Sequence, residues 1–109
     1  MAEGSPFALA KDIAGFVARF VSNLDLDDLP REQREATTLL KNQAADLRLD
    51  MRDYSLADTR ISQERVAKEV AERVDAAQAT ILKLSEYNLL GAADVAQLSA
   101  LLQQLKAVL

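Results

Sequence analysis

From Pro30 to Tyr87, about 58 residues, the chain carries no glycine and no proline beyond Pro30 itself. Tight turns draw on the positive φ of glycine and the fixed φ of proline, so a stretch this long without either favours helix over a succession of strands and turns. Within it Thr37, Leu40, Ala44, Leu47, Met51 and Tyr54 recur at alternating steps of three and four, the narrow seam of a coiled coil. A second stripe, Val66, Val70, Val74, Ala77, Ile81 and Leu84, is out of phase with the first. Carrying the first register onward would put Asp58, Ile61, Arg65 and Lys68 in the seam, and no single three- or four-residue stutter repairs it. The phase break predicts a turn near residues 54 to 58, with Ser55 and Asp58 as a capping pair. One unbroken rod is the alternative.

The flanks give two shorter helices. Ser5 followed by Pro6 is a helix start, and Leu9, Ile13, Phe16, Val17, Phe20, Val21 and Leu24 then make an apolar face about half a helix wide. Asp25, Asp27 and Asp28 precede the helix that begins at Pro30, where negative charge meets the positive end of the helix dipole. Asn88 and Gly91 bracket a helix end, and Val95, Leu98, Leu101, Leu102, Leu105, Val108 and Leu109 share one face of a last helix. The expected fold is all-α: a four-helix bundle or long helical hairpin, with helices at about 6–24, 30–54, 56–87 and 92–108, in a single domain over 1–109. Two narrow seams and two broad apolar faces exceed what one small bundle readily covers, which predicts a homodimer.

Chemistry is bounded by what is missing. With no histidine and no cysteine, the Ser-His-Asp and Cys-His nucleophiles, imidazole acid–base catalysis and zinc–thiolate sites are excluded. Gly4, Gly15 and Gly91 are isolated, so no phosphate-cradling loop exists. Asp25, Asp27 and Asp28 lack the glycine and distal glutamate of a calcium loop. No catalytic residue, cofactor or metal ligand is expected. Gly15 falls on the polar side of the first helix, where it reflects either drift or a close approach of another helix.

A net charge of −4 disfavours nucleic acid and anionic lipid as partners. The first residues carry Glu3 and no basic region, and no apolar run approaches the roughly 20 residues of a membrane span, so the cytoplasm is the expected compartment. A protein partner remains the leading class.

Charge on the second helix is segregated. Arg31, Arg34, Lys41, Arg48 and Arg52 fall along one flank of its seam and Glu32, Glu35, Asp46, Asp50 and Asp53 along the other. On the third, Glu64, Lys68 and Glu72, and Arg65, Glu69 and Arg73, form ladders of i,i+4 neighbours expected to satisfy one another within the helix. Leu39 and Leu49 lie off the seam among charges, and the outer face of the last helix is nearly neutral. Leu39, Leu49, Leu98, Leu102, Leu105 and Leu109 are therefore the candidate partner-binding residues of a non-enzymatic protein–protein interaction module, a small adaptor, regulator or antagonist.

Two other readings follow from local features. Ser62 to Val70 and Gln78 to Leu84 resemble the two helices of a phage-repressor helix-turn-helix, which implies a DNA-associated transcriptional regulator. Their separation is about four residues longer than that motif's tight turn, no glycine marks the turn, and Glu72, Asp75 and Glu86 replace its basic character; one continuous helix is the simpler expectation. The first helix, with three Phe and flanking Lys11 and Arg19, also has the form of a membrane-surface helix.

Overall fold

The computed structural model describes residues 6–56 and 59–109. Four helices run α1 (Pro6–Ser22), α2 (Arg31–Leu56), α3 (Arg60–Glu86) and α4 (Ala92–Ala107), with a single 3₁₀ turn at Leu26–Asp28. Each helix packs on two others, α1 on α2, α2 on α3, α3 on α4 and α4 back on α1, closing an antiparallel four-helix bundle. The long pair extends beyond the short one, giving a body of 47 × 24 × 19 Å. One core joins all four helices: Leu9, Ile13 and Val17 from α1, Leu40, Leu47 and Met51 from α2, Val70, Val74 and Ile81 from α3, and Leu98, Leu102 and Leu105 from α4.

From Thr37 to Met51 the seam is buried as its spacing predicts, and Tyr54 is partly buried against the core. The Thr37 hydroxyl donates to the Gln33 carbonyl at 2.9 Å, and that of Thr80 to the Ala76 carbonyl at 3.1 Å, so neither buried polar group is left without a partner. The seams and the broad faces pack on one another in that shared core. Among the described residues, the large apolar side chains left exposed, Leu39, Leu49, Ile61, Leu82 and Val108, are scattered over α2, α3 and the end of α4.

The break in phase is real and falls slightly later than the spacing suggests. Ser55 is still helical in α2, Asp58 lies outside the described residues, and the cap of α3 is Thr59, whose side-chain oxygen accepts from the Ser62 N–H at 3.1 Å. Two antiparallel helices replace the single-rod alternative. Ser5, the expected cap of α1, also lies outside the described residues. At the far end of α3, Asn88 takes a φ of 62°. The Leu89 N–H reaches the Leu84 carbonyl at 3.0 Å and the Asn88 N–H the Ser85 carbonyl at 2.9 Å. These are the paired bonds of a Schellman closure, with Asn88 in the left-handed position glycine more often holds. Gly91, at φ −74°, needs no such freedom.

α3 is unbroken from Arg60 to Glu86, so both segments that resemble a helix-turn-helix lie on one helix and the intervening turn does not exist. The apolar face of α1 is likewise committed: Leu9, Ala10, Ile13 and Val17 are buried in the bundle, which removes the face a membrane-surface helix would insert. Among the described residues no helix is long and apolar enough to cross a membrane.

Gly15 has no helix pressed against it. A Cβ there would meet only the tip of the Arg19 side chain, at 3.7 Å, an ordinary contact with a flexible group. Gly15→Ala should therefore stabilise the protein by about 0.5–1 kcal/mol, because alanine restricts the unfolded chain and loses no native contact. Thermal unfolding checks this: a rise of several degrees is expected, and a fall would reveal a close approach after all.

Candidate functional site

The two flanks of α2 meet different fates. The acidic flank turns toward α3, where Arg73 lies 3.1 Å from Asp46 and 2.7 Å from Asp50. The spacing on α3 predicts that Glu69 satisfies Arg73 within its own helix; Arg73 reaches across to α2 instead, and among the described residues the other members of those ladders make no ion pairs with one another. Asp50 is only 13% exposed, and its Oδ2 accepts no aligned hydrogen bond, so the contact with Arg73 is an ion pair rather than a directed bond. Burial raises the Asp50 pKa above the usual carboxylate value; Arg73 opposes the shift, and Glu69, Asp46 and Asp53 reinforce it.

The basic flank turns toward α1 and finds no such partner. Lys41, Arg48 and Arg52 line a groove of about 450 Å³ between α1 and α2, and no carboxylate is among its lining residues. Its floor is small and apolar, made by Ala14, Val17 and Ala18 of α1 and Ala44 and Ala45 of α2, with Phe7 at one end and Leu49 on the rim. Lys11, outside the groove lining, stands over the Phe7 ring, 5.8 Å from its centroid. Among the described residues none of these four cations has a carboxylate within ion-pair distance. Arg31, assigned to the same flank by sequence, lies elsewhere and pairs with Glu35 at 2.9 Å.

The candidate leucines divide. Leu49, 52% exposed, stands at the basic groove. Leu39, 50% exposed, sits on the opposite side of α2, at a groove shared with α3 that Glu32, Glu35, Lys83 and Tyr87 also line. Leu98, Leu102 and Leu105 are fully buried, so a partner could reach them only by opening the bundle. Within the chain α4 covers both α1 and α3, and these leucines supply the covering face. Leu109 is half-buried against the same core. The basic groove itself, as distinct from its basic flank, has no sequence signature, since α1 contributes only alanines, a valine and a phenylalanine to it.

Asp25, Asp27 and Asp28 are exposed around the 3₁₀ turn, with the Asp28 N–H donating to the Asp25 carbonyl at 3.1 Å. Among the described residues no group of three or more acidic side chains is placed to hold a metal ion. No family model, curated protein or solved structure matches the chain.

Proposed function

We propose that this protein is a non-catalytic interaction module, a small adaptor or regulator, that docks another polypeptide in the groove between α1 and α2. The observation that carries this reading is the contrast between the flanks of α2. Asp46 and Asp50 of one flank are spent inside the fold on Arg73, while Lys41, Arg48 and Arg52 of the other line an apolar-floored groove with no carboxylate in its lining. Like charges held together without a partner repel, so the arrangement does nothing for the isolated chain and favours association with something that neutralises it. Exposed apolar surface beside them, at Leu49 and the alanine floor, supplies burial on binding.

A photo-reactive side chain at Leu49, with Ala96 on the exposed side of α4 as control, tests this in cells of the native host. A discrete polypeptide adduct from position 49, absent from position 96 and lost with Arg48→Glu, is the expected result. An adduct to nucleic acid, or equal labelling from both positions, would defeat the reading.

A further inference from the structure

We propose that the occupant of the α1/α2 groove is an acidic amphipathic helix, laid along α2 with its carboxylates against Lys41, Arg48 and Arg52. This rests on the reading that the groove docks a polypeptide, and adds the partner's chemistry. The three cations share one side of α2 at steps of seven and four residues, so their backbones span roughly 16 Å along the axis, about three helical turns. A second helix alongside presents carboxylates at matching intervals when they too fall three, four or seven residues apart.

The floor is built for a helix rather than for a flat surface. Ala14 and Ala18 stand one turn apart on α1, facing Ala45 on α2, and short side chains let a third helix axis come within the 8–10 Å at which helices pack. Phe7, with Lys11 over its ring, closes one end.

Other anions fit less well. A single-headed anion such as a fatty acid would neutralise one cation and leave the others unmet. A bilayer or a nucleic-acid duplex presents an extended anionic field to the whole chain, whose net charge is −4, whereas a helix within the groove meets chiefly the cations. Three of the chain's 13 lysines and arginines line this one groove, so a local acidic partner is attracted where a large anionic surface is repelled.

The probe is a fluorescein-labelled peptide of about 18 residues, long enough to hold a helix when bound. Glutamates at i, i+7 and i+11, or in the reverse order, share a face with alanine and leucine. Anisotropy titrations on the full chain should give saturable binding in the micromolar range. Binding should weaken about ten-fold or more when the glutamates become glutamines, when Arg48→Glu and Arg52→Glu are combined, and when Ala45→Trp fills the floor. A peptide carrying lysines in place of the glutamates should regain binding to the Arg48→Glu, Arg52→Glu protein, which shows that the variant is folded and that charge is what the groove reads.

Equal binding of the glutamine peptide, or an unaffected double variant, overturns the proposal. So does groove-dependent binding of phosphatidylglycerol vesicles or duplex DNA where the peptide does not bind. A polypeptide cross-link at Leu49 together with no acidic-peptide binding overturns the acidic helix alone; the absence of both overturns the docking reading as well.

Discussion

Leu105→Ala should lower the unfolding free energy by about 2–5 kcal/mol, the range for deleting most of a leucine side chain from a packed core. Leu105 is fully buried, as are Leu98 and Leu102 at steps of three and four before it. Together they form the face by which α4 covers α1 and α3. No other helix can take that place, so the cavity collapses only if α4 shifts as a unit. For a domain of this size, total stability is on the order of 5–15 kcal/mol, and a loss of about 3 kcal/mol corresponds to a fall in Tm of roughly 10–20 °C. Gln104→Ala, on the exposed side of the same turn, should stay within about 0.5 kcal/mol of the parent. Urea unfolding of the two variants decides the matter. Should Leu105→Ala match Gln104→Ala, α4 is not part of the cooperative unit, and its leucines would again be candidates for a partner.

Much of this architecture is written in the spacing of apolar residues. The steps from Thr37 to Met51 and from Val70 to Leu84 identify the buried faces of α2 and α3, because burial in a helix follows the angle of a side chain about the axis. Their mismatch in phase locates the turn between the helices. The end of α2 was misplaced by a short-range coincidence: Ser55 and Asp58 have the spacing of a capping pair, and so do Thr59 and Ser62. Of the two, the second is the pair at the observed cap of α3, while Asp58 lies outside the described residues. Spacing also finds the apolar face of α4 without saying what covers it, so Leu98, Leu102 and Leu105 look the same whether they meet a partner or the chain itself.

The groove was half legible. That α2 keeps its cations and anions on separate flanks follows from a helical wheel. Which flank stays free depends on the side of α2 to which α1 and α3 pack, and local sequence does not encode that. The ladder on α3 misled in the same way: Glu69 is the carboxylate one helical turn from Arg73 on its own helix, while Asp46 and Asp50 are its partners in space.

Those partners make Arg73 a residue whose removal should show a pH-dependent cost. The pKa of Asp50 in the folded protein is raised above its ordinary value of 3.8, with burial the largest cause. A raised carboxylate pKa means that the folded state binds more protons than the unfolded one. Its stabilising contribution is therefore complete below the unfolded pKa and is lost as pH rises through the folded one. In its ionised form Asp50 is a charge in a poorly hydrated place, repelled by Glu69, Asp46 and Asp53 and held by Arg73. Removing the arginine leaves those charges unopposed. The cost at neutral pH should be about 1–2 kcal/mol, below the 3–5 kcal/mol of a fully buried pair because Arg73 is 43% exposed and Asp46 50%.

Arg73→Met keeps most of the aliphatic stem and separates lost charge from lost packing. Its penalty should shrink on going from pH 7 to pH 3.5, where Asp50, its pKa raised, takes up a proton and no longer needs a cation. Asp50→Asn should unfold no more easily than the parent at pH 7, and combined with Arg73→Met it should recover part of the loss. Denaturant titrations at the two pH values measure all of this. A penalty for Arg73→Met that is the same at both would mean that the side chain stabilises the α2/α3 pair through packing, and that Asp46 and Asp50 do not depend on it for countercharge.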